Sequence, residues 1–434
     1  MGTVTRQDSN PAPPNGPRGP AGTPRIGVIG DGQLARMMAP AAVELGVELH
    51  LLAGSADSSA AQVIPHTTLG DYTDPAQVSA FAAEVDVITF DHEHVPAEVL
   101  AALTRDGVSM HPGPDALLYA QDKLAMRRAV EQLGLPNPRW AEVRSVAELR
   151  AFGEETGWPV VLKTPRGGYD GKGVRMIDSA DAASTAQDWF SRAEESGAGL
   201  LAEEKVRYTR ELSAQVARSA TGETVTYPVV ESTQTDGVCD EVIAPAPLTS
   251  QDHVEVAERI ARTIAEQLQV TGMLAVELFE ISEDEADPET GTVAGIYINE
   301  LAMRPHNSGH WTMDGSITSQ FEQHLRAVLG LPLGATEVKG GAGGYTVMKN
   351  LLGSASGAER SLHESFPAAM RRSQGSKIHL YGKAARPGRK IGHVNILTQT
   401  HSTQETWEAR RARLQRVRRA AADVAEIIVE GPAQ

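Results

Sequence analysis

A single cysteine, Cys239, in 434 residues excludes an intrachain disulfide and any four-cysteine zinc site, and it suits a reducing, cytoplasmic setting. Aromatic residues are scarce at 5%, so the core must be built from Ala, Val, Leu and Ile. No apolar run approaches the roughly 18 residues of a membrane span. The first two dozen residues are rich in Pro and Gly but lack the apolar centre of a secretory signal, and residues 1–23 are expected to be a disordered tail. Positive charge is in deficit: 40 Lys and Arg against 56 Asp and Glu leave −16. That balance argues against general nucleic-acid or membrane-surface binding. It does not argue against small anions, which a local cluster of Lys and Arg can hold. The rest is ordinary for a globular chain, with 41% hydrophobic and 22% charged residues and length for roughly two to four domains.

Three units follow the tail. Residues 24–115 read as an open α/β layer. Arg25-Ile-Gly-Val-Ile-Gly30 is a buried strand, a helix carrying Leu34, Met37, Met38, Ala41 and Leu45 on one face stops at Gly46, and strands follow at Val47–Leu52 and Val85–Phe90. Pro40 is a potential kink in that helix. Residues 116–326 are α+β: a helix from Asp122 to Leu133, strands at Trp158–Lys163 and Val174–Ile177, and further strands at Leu200–Glu204, Glu211–Arg218, Thr224–Val230, Met273–Glu280 and Gly295–Asn299. The acidic stretch Ser282–Thr292 reads as a long hairpin loop between the last two. Residues 327–434 form a smaller β-rich unit with strands at Ile378–Tyr381 and His393–Leu397 and a final helix from about Thr403. No internal repeat is evident.

Five clusters carry chemistry. Gly30-Asp-Gly32-Gln-Leu-Ala35 matches the dinucleotide pattern between a strand and a helix, but the second strand lacks the acidic residue that would hold a ribose, so a generic phosphate or substrate loop is the stronger reading. Lys163-Thr-Pro-Arg-Gly167-Gly168-Tyr-Asp170-Gly171-Lys172-Gly173 is not a Walker A loop. Only three residues separate Gly167 from Gly171, and Gly173 stands where a magnesium-binding hydroxyl belongs. It reads as a hairpin loop that lies over phosphates. Glu277 and Asn299-Glu300, on separate strand ends, are the hard oxygen donors magnesium prefers. Arg304-Pro-His306-Asn-Ser308-Gly-His310 reads as an anion- and substrate-binding loop. Zinc at His306 and His310, or at His92 and His94, lacks a third ligand. Lys383, Arg386, Arg389 and Lys390 around a Pro-Gly turn read as a phosphate clamp. The arginines of the final helix, without interleaved aromatics, read as a solvated or interface face.

Together these motifs resemble the ATP-grasp superfamily and, within it, the N5-carboxyaminoimidazole ribonucleotide synthases, from about Arg25 to beyond His393. The most specific pieces are Gly167–Gly173, Asn299-Glu-Leu-Ala-Met-Arg-Pro-His-Asn-Ser-Gly-His-Trp311 and Arg386-Pro-Gly-Arg-Lys-Ile-Gly-His393. The resemblance implies an N-terminal Rossmann-like domain, a central two-lobed ATP-grasp domain and a small C-terminal domain. It implies that Lys123 and Lys163 contact ATP phosphates under the loop Gly168, Tyr169, Asp170, Gly171, Lys172, Gly173 and Val174. Glu203, Glu204, Lys205 and Val206 would edge the adenine, with Glu211 on the ribose and Gln234 nearby. Glu277 and Glu300 would bind Mg²⁺, helped by Asn299. Tyr169, Asp170, Arg304, His306, Lys383 and Arg389 would contact the ribonucleotide, in a pocket completed by Gln33, Leu34 and Glu93, with Arg386 and Lys390 in the same clamp. Two departures stand out: relatives often carry Glu-Phe-Glu-Asn where this chain has Asp91-His92-Glu93-His94, and some carry His at or near Gln234.

The activity implied is ATP- and bicarbonate-dependent carboxylation of 5-aminoimidazole ribonucleotide through carboxyphosphate, a step of purine biosynthesis, by a homodimer without nucleic-acid or membrane partners. In that scheme Asp170 positions or deprotonates the reacting groups, and Arg304 holds the bicarbonate-derived anion. Three other readings stay open on sequence alone: another carboxylate–amine ligase or a formate-using transformylase, a nicotinamide-dependent dehydrogenase built on Gly30 and Gly32, and an inactive nucleotide-binding regulator.

Overall fold

The computed structural model describes residues 22–167, 173–195, 197–286, 293–339, 341, 343–354, 361–398 and 405–432. The expected tail, apart from residues 22 and 23, and the centre of the second glycine loop, Gly168 to Lys172, therefore lie outside the described residues.

Four parallel strands, β1 (Arg25–Ile29), β2 (Glu48–Ala53), β3 (His66–Leu69) and β4 (Val87–Phe90), form the first sheet in the order β3-β2-β1-β4. β1 is buried along its whole length, as a run with helices on both faces requires. The helix Gln33–Leu45 continues through Pro40 and ends at Gly46 in the left-handed region, whose N–H returns to Val43. Its apolar face packs on Phe321, Leu325 and Val328 of the helix Gln320–Val328.

The second sheet is antiparallel: β5 (Trp140–Val143), β6 (Val160–Lys163), β7 (Val174–Ile177) and β8 (Leu200–Glu204), in the order β5-β8-β6-β7. The helix Lys123–Gln132, capped by the Asp122 side chain, lies beside it. The third sheet gathers β9 (Arg210–Arg218), β10 (Thr224–Thr226), β11 (Val230–Thr235), β12 (Val238–Ala244), β13 (Gly272–Ile281), β14 (Gly295–Ala302), β15 (Thr346–Leu352), β16 (Lys377–Leu380) and β17 (Lys390–Leu397). The single strand expected at Thr224–Val230 is two, because Pro228 has no N–H for the ladder. A tight turn with positive φ at Asp236 and Gly237 joins β11 to β12. β12 then pairs with β15, Ala244 opposite Thr346, so the large sheet runs unbroken from the central segment into the C-terminal one. The helix Trp407–Glu430, starting a few residues later than expected with Thr406 as its cap, covers β15 and β17 through Leu414, Val424 and Ile428.

Two polar joints hold these layers in register. Arg127, fully buried on its helix, pairs with Glu203 of β8 and donates to the carbonyls of Ile298 (2.6 Å) and Asn299 (2.9 Å) on β14 and to Asn137 (3.0 Å). It thus rivets the second sheet to the third. His324 does the same between the first and third sheets. Met273 N–H donates to its Nδ1 (3.1 Å), which leaves the proton on Nε2 to reach the Thr89 hydroxyl at 2.7 Å. Gly272 is required beside it: its φ is +112°, and a Cβ there would stand 2.8 Å from the His324 ring.

Burial pushes His324 down to about 3, so the folded protein keeps it neutral while an unfolded chain protonates it near pH 6.5. A depressed folded pKa means this contribution to stability is complete above pH 6.5 and is lost below it, by up to about 1.4 kcal/mol per pH unit. The melting temperature of a His324→Gln variant should therefore fall less between pH 7 and 5.5 than that of the unaltered chain; parallel curves would refute the assignment. Arg127→Met should cost about 3–5 kcal/mol in urea unfolding, because it strands a buried carboxylate and several acceptors.

Candidate active site

The register of β13 and β14 explains how three oxygen donors reach one cleft. Glu277 stands opposite Glu300, Leu278 opposite Ile298, and Asn299 is the extra residue of a bulge between them. In a regular strand Asn299 and Glu300 would point to opposite faces; the bulge turns both toward the cleft. Glu300 Oε1 lies 3.3 Å from Lys123 Nζ, at the start of its helix, and Asn299 Oδ1 lies 3.5 Å from Lys163 Nζ, at the end of β6. Lys163 is held in turn by Glu203 at 2.7 Å. Burial alone would raise Glu203, but the Arg127 guanidinium and Lys163 ammonium hold it down at about 2, a permanent anion that fixes the lysine. Glu277 goes the other way: burial and the like charges of Glu300 and Glu211 push it up to about 8. Two facing carboxylates short of counter-charge, beside an amide oxygen, are a donor set that fits a hard divalent cation. Arg127 was not singled out from the sequence, since an arginine inside a helix looks like a surface residue until its partners are known.

Past this cluster the chain passes Glu204, which accepts from the Arg139 backbone at 2.8 Å and its side chain at 2.7 Å, and then Lys205 and Val206, neither of them buried. Glu211 accepts from the Tyr208 hydroxyl at 2.9 Å and from Gln234, and burial raises its pKa. Tyr208 stacks on Phe279, ring centres 4.5 Å apart and planes within 6°, forming a half-exposed aromatic shelf unread in the sequence.

Arg304, His306, Lys383 and Lys390 approach from three segments. Burial would lower Arg304, but Glu93 outweighs it: Glu93 Oε2 accepts from Arg304 Nε at 2.8 Å and Oε1 from the Met303 N–H at 3.2 Å. His306 sits at the end of a defined relay. The Ser308 N–H donates to His306 Nδ1 (3.4 Å), which makes that nitrogen an acceptor; Ser308 Oγ, which accepts from Gln215 (3.0 Å) and lies 2.8 Å from Ser213 Oγ, therefore donates to it at 2.8 Å, and the imidazole Nε2–H faces Glu277 at 3.4 Å. Burial, with Arg304 and Lys390, pushes this histidine down to about 3. Lys383 donates to Gln33 Oε1 at 2.7 Å, which ties the C-terminal segment to the first helix. The Leu34 side chain lies in the core, so only its backbone can face a ligand. Arg386 and Arg389 sit on the exposed turn, Arg389 donating to the Ala384 carbonyl at 3.3 Å. Gly173 and Val174 bound the glycine loop, while Gly168, Tyr169, Asp170, Gly171 and Lys172 lie outside the described residues.

The first glycine cluster behaves differently from a free phosphate loop. The amides of Gly32 and Ala35 donate to the buried Asp91 carboxylate, so the helix end already holds an anion. A cavity of about 880 Å³ lies against the second sheet, next to Asp122 and Thr164. It is lined by both ends of the second glycine loop together with Arg128, Arg144, Trp189 and Arg192, and contains none of Lys123, Glu277, Glu300 or Arg304. No group of three or more His, Cys, Asp or Glu side chains that could hold a metal ion is found among the described residues. No helix among them is long and apolar enough to cross a membrane.

Three family models match in succession: the ribonucleotide synthetase preATP-grasp domain over residues 24–121, the ATP-grasp domain over 128–321, and the phosphoribosylaminoimidazole carboxylase C-terminal domain over 346–406. The chain is 48% identical over 375 residues to the N5-carboxyaminoimidazole ribonucleotide synthase of Mycobacterium tuberculosis, covering 86% of this chain and 83% of that one. It is equally identical to the enzyme of Corynebacterium ammoniagenes, over 86% and 88%. Among solved structures, the Thermus thermophilus synthetase superposes with a TM-score of 0.76 at 34% identity, covering 92% of this chain and 98% of that one. The Aspergillus clavatus synthase in complex with ADP and 5-aminoimidazole ribonucleotide gives 0.77 at 29%, over 93% and 99%. The chain belongs to the N5-carboxyaminoimidazole ribonucleotide synthases, ATP-grasp ligases of purine biosynthesis.

Proposed function

We propose that this chain carboxylates 5-aminoimidazole ribonucleotide with ATP and bicarbonate, giving ADP, phosphate and N5-carboxyaminoimidazole ribonucleotide, and that its described residues divide the work as follows. The observation that carries the reading is one cleft in which the Glu277–Glu300 pair, the Lys123 and Lys163 cations and the Arg304–His306 loop converge. Glu277 and Glu300, with Asn299, would hold Mg²⁺. When bound, that ion neutralises phosphate charge and relieves the repulsion that raises Glu277.

A bicarbonate oxygen attacks the γ-phosphorus, ADP departs, and carboxyphosphate forms. Lys123 and Lys163 stand where the migrating negative charge needs fixed cations, and Lys163 is pre-set by Glu203. Arg304, kept protonated and oriented by Glu93, presents its guanidinium to the carboxyl-bearing anion. His306 is neutral with Nδ1 already satisfied, so at Nε2 it is a hydrogen-bond donor and not the base that takes the amine proton. That base is assigned to Asp170, in the glycine loop. The exocyclic amine then attacks the carboxyl carbon, phosphate leaves, and the nitrogen's proton passes to the base. Lys383, braced by Gln33, with Lys390, Arg386 and Arg389, supplies positive charge for the substrate phosphate. A homodimer in the cytoplasm completes this reading.

ADP release from ATP, Mg²⁺ and bicarbonate should depend on added 5-aminoimidazole ribonucleotide, with matching loss of its free amine; release without it would point to another carboxylate-activating ligase, and none at all to a regulator. Arg304→Ala should lower ribonucleotide-dependent turnover by roughly 10²–10³. Glu300→Gln should raise the Mg²⁺ concentration for half-maximal activity by at least about tenfold. An unchanged Mg²⁺ titration would remove Glu300 from the metal site.

A further inference from the structure

Beneath the cations of the substrate side lies a buried polar layer that the reaction itself does not use. Tyr381, His393 and His310 are each 0% exposed. The Tyr381 hydroxyl and His393 Nδ1 are 2.8 Å apart, the His310 and His393 ring centres 5.1 Å apart, and the His310 and Tyr381 rings meet edge to face at 6.1 Å. These residues are the last fixed points of both cation-bearing segments. β16 ends at Leu380, and Tyr381 N–H still reaches Ile391 O at 2.9 Å, after which the chain leaves the ladder toward Lys383. Ser59 and Gln62 of the first unit clamp the same stretch, donating to the carbonyls of Tyr381 (2.6 Å) and Gly382 (2.8 Å). On the other side, His310 closes the loop that carries Arg304 and His306. Its Nδ1 accepts from Gln320 at 2.9 Å, while its carbonyl accepts from Asn395 Nδ2 at 3.1 Å.

We propose that Tyr381, His393 and His310 are positioning residues for the ribonucleotide: a polar layer, joining all three units, that sets Lys383 against the Arg304–His306 loop. The proposal rests on the functional reading above. A purely structural core would be apolar here. Instead His310 Nε2, His393 Nε2 and Asn395 Oδ1 are buried without a hydrogen-bond partner among the described residues, a disposition that costs stability. Burial drives both histidines well below and the tyrosine well above their ordinary pKa values, so the layer is uncharged at neutral pH and does not compete for the substrate's phosphate. One hydrogen bond between the tyrosine hydroxyl and His393 Nδ1 links the strand bearing Lys390 to the segment bearing Lys383.

Removing that bond with Tyr381→Phe should raise KM for 5-aminoimidazole ribonucleotide roughly tenfold while KM for ATP stays within about twofold. His393→Asn, which keeps an acceptor near the place of Nδ1, should restore most of the affinity that His393→Leu loses. Parallel increases in both KM values, or no change in either in folded Tyr381→Phe protein, would overturn the proposal. So would a loss of folding in all three variants, which is the signature of a merely structural layer. Unaltered protein is assayed first: if its ADP release does not depend on the ribonucleotide, the functional reading has failed, and this inference falls with it before any variant is compared.

Discussion

The ion pair between Arg127 and Glu203 is the constraint on which the catalytic cleft depends. A lysine aimed at a phosphate is useful only if it stays put when the phosphate is absent, and a free lysine would swing into water. Here Glu203 holds Lys163 at 2.7 Å, and Arg127 holds Glu203 while grasping the backbone of Ile298 and Asn299, the strand that presents Glu300. One guanidinium thus sets the lysine of one sheet against the carboxylate of the other. Five donors in a rigid planar fork make this possible, and lysine could not replace it. The arrangement is preorganised: the charges of the cleft are fixed by contacts within the protein itself.

Charge sorting continues outward from that pair. The cleft holds two carboxylates facing each other at Glu277 and Glu300, an unstable arrangement until cations enter, and it is flanked by Lys123, Lys163, Arg304 and Lys390. His306 contributes no charge, because burial and two neighbouring cations keep it neutral. A chain of net charge −16 can therefore handle several anions at once, since its positive groups are concentrated where the anions react.

Much of this was legible because the informative residues are local. The glycine loop after β6, the Asn299-Glu300 pair and the Arg304–His310 run each declare themselves within a few positions, and the first layer of strand, helix and Gly46 stop was read nearly to the residue. What escaped was non-local. Nothing near Arg127 says that it is buried; its partners lie at 203, 298 and 299. β3, β5, β12 and β15 went unread because short, mixed-polarity runs such as His66–Leu69, Trp140–Val143 and Val238–Ala244 become strands only through the neighbours they pair with. At the Gly30 loop the informative contact is likewise distant: the Gly32 amide donates to Asp91, some sixty residues away, and a Cβ at Gly32 would stand 2.5 Å from that carboxyl group.

That internal anion bears on the departure at Asp91-His92-Glu93-His94. In the bends just past β4, Asp91 and Glu93 face inward, Asp91 to the first helix and Glu93 to Arg304, while His92 is only partly buried and His94 is exposed. His92 packs against the Gly30 backbone and the Tyr72 ring, 4.6 Å between centres. The two carboxyl groups that hold Arg304 and the first helix are thus buried, and the two histidines between and after them stand at the rim.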